Sequence, residues 1–141
     1  RIYDADVRFI ELMPIGENQG YAKANFMACE EILKVAELRP VESDDPHAPT
    51  RYYRYGNAKG RVGFITALSS HFCGDCNRIR LTSDGKLKPC LHINQEIDLR
   101  SAIRRSEDLG EIISAAIKSK PEKHYLSENR IIDRGMSRIG G

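Results

Sequence analysis

The run Asp6-Val7-Arg8-Phe9-Ile10-Glu11-Leu12-Met13 is mostly apolar and is stopped by Pro14 and Gly16. It predicts a strand of a sheet covered on both faces, as in a barrel or an α/β layer. Beyond it, Phe26, Cys29, Leu33 and Ala36 recur at helical spacing, and Met27, Ile32 and Val35 widen the stripe. The period predicts an amphipathic helix over residues 25–38 with Cys29 on its core face. From Arg39 to Thr50 no period is detectable and prolines are dense, so residues 39–50 are expected to be a connector and a domain boundary.

Two hairpins are expected next. Tyr52-Tyr53-Arg54-Tyr55 and Arg61-Val62-Gly63-Phe64-Ile65-Thr66 flank a Gly-containing loop, whereas Ile79 to Thr82 and Lys86 to Pro89 flank Asp84-Gly85. Together they suggest one small antiparallel sheet. Asp98 is placed to cap a short helix carrying Leu99, Ala102 and Ile103. Ser106 is placed to cap a second, whose stripe is Leu109, Ile112, Ile113, Ala116 and Ile117 and which stops before Pro121. The last stretch, 127–141, has no period and finishes in Gly140-Gly141, two residues slim enough for a narrow space although such ends are ordinarily frayed.

Composition narrows the class. At 141 residues and 40% apolar content the chain can bury a real core, and the fold class expected is α+β. A net charge of +2 does not call for nucleic acid, and no apolar run approaches a membrane span or a secretory signal. The opening at Arg1 reads as a cut from a longer protein. Four cysteines grouped as three plus one do not resemble a secreted disulfide framework, so a reducing cytoplasm is expected.

The candidate chemistry is concentrated in Phe72-Cys73-Gly74-Asp75-Cys76-Asn77-Arg78-Ile79-Arg80 and Lys88-Pro89-Cys90, a C-x2-C-x13-C triplet. Cys73 and Cys76 can converge on one ion or cluster, and the Asp84-Gly85 turn would return Cys90, leaving Cys76 and Cys90 at neighbouring strand ends. Three thiolates suit a [4Fe-4S] cluster with one iron open to a substrate atom. A Cys3His zinc site, completed by His71 or His92, is the rival and would belong to a zinc-ribbon-like binding module. Buried structural thiols are the bland alternative, which fits Cys29 better than a polar Gly-containing loop.

Arg78 and Arg80 alternate beyond the second cysteine, so on a strand they would share a face beside the metal, their forks suited to phosphate or carboxylate. An exposed strand face is the competing account. Arg8 stands on an otherwise apolar strand, with Glu11 as its candidate partner. His47 and His124 read as surface residues. Tyr52, Tyr53 and Tyr55 beside Arg51 and Arg54 fit a stacking strip for nucleic acid and a half-buried hairpin equally well.

The segment F-C-G-D-C-N-R-I-R-L-T-S-D-G-K-L-K-P-C-L at 72–91, R-F-I-E-L-M-P-I at 8–15 and the ending M-S-R-I-G-G closely resemble the carboxy-terminal part of the molybdenum cofactor biosynthesis protein A family, the radical S-adenosylmethionine GTP 3′,8-cyclases. The resemblance implies the end of an incomplete TIM barrel over residues 1–38, a cluster-carrying domain over 51–126 and a tail over 127–141. It implies that Cys73, Cys76 and Cys90 hold a [4Fe-4S] cluster whose open iron binds the purine of GTP, that Arg78, Arg80 and Arg8 contact the substrate, and that Gly140 and Gly141 reach the active site. In that family a second cluster on a C-x3-C-x2-C motif cleaves S-adenosylmethionine. No cysteine precedes Cys29 here, so this stretch by itself is expected to be inactive. The strand Asp6 to Met13, without barrel neighbours, would expose an edge able to pair with another copy as a homodimer.

Overall fold

A computed structural model describes residues 4–70, 72–124 and 132–139. The chain forms two compact units, Arg1–Met13 with Tyr21–Cys76, and Pro14–Gly20 with Asn77–Gly141. Both are mixtures of short strands and short helices, in keeping with the expected α+β class.

In the first unit β1 (Val7–Ile10), β2 (Leu38–Val41), β3 (Arg51–Tyr55) and β4 (Val62–Ile65) make one sheet in the order β1-β4-β3-β2. β1 runs parallel to β4, and the other pairs are antiparallel. The expected hairpin is therefore β3–β4. β2 arises where no period is visible, and Pro40 is tolerated there because β2 is an edge strand. On one face Phe64 is buried, with Phe9 stacked on it at 5.6 Å and Tyr53 edge-on at 5.5 Å.

β1 departs from its reading as a strand covered on both faces. All four of its residues are exposed, Val7 at 53% and Ile10 at 57%. The reason is topological: β1 is the sheet's other edge and pairs only with β4. What anchors it is Arg61, whose backbone N–H and guanidinium donate to Asp6 at 2.7–3.1 Å, just ahead of the strand.

Of the helix expected over 25–38 only α2 (Cys29–Val35) forms, and a separate short helix, α1 (Gln19–Ala24), precedes the expected range. Phe26 and Met27, counted in the apolar stripe, lie between them and are exposed. Ala28 is extended and acts as the N-cap of α2, which restarts the helical phase. Cys29 is on the core side as expected, 3% exposed. Burial pushes its thiol pKa up and the charge of Glu11 adds to this, the profile of an unreactive packing residue.

In the second unit β5 (Arg80–Leu81), β6 (Lys86–Lys88) and β7 (Ile97–Asp98) form an antiparallel sheet of their own. The two hairpins thus belong to separate sheets, not to one. Gly85, at φ +82°, makes the turn that the Asp-Gly pair predicts. Asp98 caps α3 (Leu99–Arg104), its carboxylate accepting from the Ser101 N–H at 2.9 Å and hydroxyl at 2.7 Å.

The cap of α4 (Leu109–Lys118) is Asp108, accepting from the Glu111 N–H at 3.1 Å, rather than Ser106. Ser106 instead takes φ +56° and closes α3: its N–H donates to Ile103, and that of Glu107 to Ala102. This is the pairing of a Schellman end, with serine where glycine is usual. Ile132 and Ile139 are buried in the same unit, so the described part of the last segment is packed rather than frayed.

Candidate metal centre

Cys73–Asp75 form a single 3-10 turn, closed by the Asp75 N–H donating to Phe72 at 3.2 Å and the Cys76 N–H donating to Cys73 at 3.3 Å. This turn places the two cysteines on one loop at the end of the first unit. Cys90 follows β6 in the second unit, and the His92 N–H donates to its sulfur at 3.4 Å. All three are partly accessible and none is in a disulfide. As donors they fit an iron–sulfur group: three soft thiols, one already receiving the N–H···S contact that moderates thiolate charge at such centres. Among the described residues, no three His, Cys, Asp or Glu side chains are gathered into a metal-holding group.

The hairpin between the cysteines forms in the predicted register, with Arg80 opposite Lys88 and Leu81 opposite Leu87. Its strands end at Arg80 and Lys88, so neither Cys76 nor Cys90 stands at a strand end. Ladder pairing begins only at Arg80. Arg80 is half-buried on β5, whereas Arg78 precedes the strand, is exposed, and accepts through its carbonyl from Lys120 Nζ at 3.0 Å. The shared strand face was expected for both and applies to Arg80 alone.

Arg8 is on β1 in the first unit, its guanidinium 5.7 Å from the centre of the Tyr52 ring. Gly63, across from Arg8 on β4, opens the room. A Cβ there would stand 3.2 Å from Arg8 Cγ, 3.2 Å from Tyr52 Cε1 and 2.5 Å from Thr50 Cγ2.

Glu11 is not the partner of Arg8. It is 2% exposed, and its carboxylate accepts from the N–H groups of Cys29 (3.1 Å), Leu68 (2.8 Å) and Ser69 (2.9 Å) and from the Ser69 hydroxyl. Burial by itself would raise its pKa, but these four donors outweigh it and hold the carboxyl below its ordinary value. Three of those donors lie in loops, where no sequence period reveals them.

Two further residues of the second unit escaped the sequence pattern. Lys88, 0% exposed, donates through Nζ to the Ile93 carbonyl and so closes the loop that carries Cys90; burial pushes its pKa down. His124, read as a surface residue, is buried at 4% and packs edge-on against His92 with ring centres 4.6 Å apart. His47 is exposed, as expected. His71, Gly140 and Gly141 lie outside the described residues.

A sequence profile of the family described as Molybdenum Cofactor Synthesis C matches residues 5–126. The chain belongs to the Molybdenum Cofactor Synthesis C family. It is 57% identical over 140 residues to a GTP 3′,8-cyclase of Alkaliphilus metalliredigens (strain QYMF), covering 96% of this chain and 43% of that protein. A GTP 3′,8-cyclase of Alkaliphilus oremlandii (strain OhILAs) is 54% identical with the same coverage, and one of Desulforamulus reducens is 46% identical over 143 residues. The family resemblance stated from the motifs is thereby shown. The chain spans less than half the length of the curated relatives it matches, and no helix among the described residues is long and apolar enough to cross a membrane.

Proposed function

We propose that this chain is the carboxy-terminal part of a cytoplasmic GTP 3′,8-cyclase, the part that holds GTP and a [4Fe-4S] cluster with one open iron. The observation that carries the reading is the match of 96% of the chain to relatives of that name. In the intact enzyme the reaction converts GTP to 3′,8-cyclo-7,8-dihydro-GTP on the route to molybdopterin. Residues 1–38 would then be the end of an incomplete TIM barrel, 51–126 the cluster domain joined by the connector 39–50, and 127–141 the tail that brings Gly140-Gly141 to the active site.

Cys73, Cys76 and Cys90 would hold the cluster, which when bound supplies a Lewis-acidic iron for the purine. The arginines do the rest of the positioning. Arg78 and Arg80 suit the triphosphate because guanidinium forks pair phosphate oxygens two at a time. Arg8, its guanidinium beside Tyr52, would add a contact from β1. Fixing base and phosphates together orients the ribose between them, and regiochemistry depends on that orientation more than on affinity. S-adenosylmethionine and the second cluster would be held elsewhere in the longer protein, since a C-x3-C-x2-C motif is absent from these residues. The exposed edge of β1 is where that remainder, or a second copy, would pair.

The test is iron, sulfide and zinc content with a visible spectrum, on protein reconstituted without oxygen. About four irons on the triplet, with absorption that dithionite bleaches and GTP perturbs, is the expected result. One tightly held zinc and no iron would overturn the reading. In the full-length protein Arg78→Ala or Arg80→Ala should weaken GTP binding with iron content unchanged; unaltered GTP affinity would remove those residues from the substrate site.

A further inference from the structure

We propose that Glu11 is the positioning residue for the cysteine pair Cys73 and Cys76. This deepens the reading of those thiols as cluster ligands and rests on it. Glu11 follows β1, and its two carboxylate oxygens hold two other pieces of the first unit: Oε1 takes the N–H that opens α2 and the Ser69 hydroxyl, Oε2 takes the Leu68 and Ser69 N–H groups. A carboxylate has about four lone-pair positions, and four donors fill them. Glu11 therefore has no capacity left to bind a metal or move a proton. Its charge is spent on holding backbone.

The backbone it holds leads directly into the cysteine turn. Thr66 donates its hydroxyl to the Ser70 carbonyl at 2.8 Å, so the loop is fixed on both sides of Leu68 and Ser69. From Ser69 the chain needs four residues to reach Cys73, a reach of at most about 14 Å when extended. The 3-10 turn then fixes Cys76 relative to Cys73. Freed from Glu11, Leu68 and Ser69 would present unpaired N–H groups in a partly buried loop, which would shift to find other acceptors and carry the first thiol with it. A glutamine would not replace Glu11, because its NH2 would point at N–H groups that need an acceptor.

The experiment is thiol alkylation in the full-length protein stripped of metal, followed residue by residue by mass spectrometry, with Cys90 in the other unit as internal reference. Glu11→Gln is expected to raise the alkylation rates of Cys73 and Cys76 about tenfold with Cys90 unchanged, the ratio that follows from releasing on the order of 1.4 kcal/mol of local restraint. A structural role without positioning would quicken amide exchange across the β3–β4 hairpin of the same unit along with the two alkylation rates, or leave all three thiol rates at the wild-type value, and either result overturns the proposal. Should Glu11→Gln not fold, Ser69→Ala, which removes one donor and leaves the backbone bonds, decides in its place: a smaller rise at Cys73 and Cys76 supports the proposal, and wild-type rates overturn it. In reconstituted protein the substitution should also speed iron loss to a chelator. Failure of the ligand reading would show separately, as wild-type iron content unaffected by Cys73→Ser, and would overturn both.

Discussion

Each unit of this protein secures irregular backbone with one charged residue, and the two solve the problem with opposite chemistry. In the first unit Glu11 is nearly inaccessible, and the four donors on its carboxylate, neutral N–H and O–H groups of Cys29, Leu68 and Ser69, stabilise its charge. In the second unit Arg134 uses all five of its N–H donors. Nε and Nη2 donate to Glu96 at 2.6 and 2.8 Å, Nη1 and Nη2 to Asp84 at 3.1 Å each, and Nη1 also to the Arg138 carbonyl at 3.2 Å. That fork ties residues 132–139 to the β5–β6 turn and to the approach to β7. The lesson is that a buried carboxylate can be stabilised by oriented dipoles alone, whereas a partly buried guanidinium gains most from geometric saturation by counter-charges.

The difference sets the order of expected effects. Glu11→Ala strands the buried Cys29 N–H and the part-buried N–H groups of Leu68 and Ser69 and is expected to destabilise the first unit by about 3 kcal/mol, measured by urea unfolding; a loss below about 1 kcal/mol would mean that water takes over its role. Acid comes next. Glu11, Asp84 and Glu96 all have folded-state pKa values below their ordinary ones: Glu11 through hydrogen bonds that outweigh burial, Asp84 through Thr82 and Arg134, and Glu96 through Arg134. Ionisation therefore favours the folded state. The contribution is complete above the unfolded value of about 4.3 for glutamate and is lost as pH falls through the folded values. Stability should drop on acidification below about pH 4, less steeply in Glu11→Gln, and equal slopes would place the proton uptake elsewhere.

Arg134→Ala should have the smallest and most local effect. Amide exchange of residues 132–139 is expected to quicken about tenfold, with the β3–β4 hairpin unaffected. Because the Asp84 side chain is 45% exposed, added salt should mimic part of that change while leaving the bonds of Glu11 intact. A salt response in the Glu11 loop would collapse the distinction between the two units.

Elements whose information is local were legible. The β3–β4 hairpin, the Asp84-Gly85 turn with Gly85 at positive φ, the Asp98 cap and the core side of Cys29 each follow from a period or from a residue type that its own neighbours require. The α4 stripe was also readable, although its cap was placed two residues early: Ser106 and Asp108 have equal capping chemistry, and which one opens the helix depends on how α3 closes. β2 and the break between α1 and α2 were not readable. Leu38–Val41 is a strand because β3 offers it an edge, and nothing in its own pattern says so.

At the candidate centre the division is the same. Residue chemistry and spacing nominated Cys73, Cys76 and Cys90 as ligands and the arginines as anion contacts, and the motifs around them resemble the family to which the comparison with known proteins assigns the chain. Tertiary structure decided the rest. It gave Glu11 a set of donors 18, 57 and 58 residues away, where nearness along the chain had offered Arg8. It buried His124 against His92 and enclosed Lys88, two polar residues whose sequence neighbourhoods look solvated. The physical reason is that a thiol's affinity for soft metals belongs to the side chain, whereas the partner of a charge is whichever group the fold brings within 3 Å, and a linear pattern records only the groups nearby along the chain.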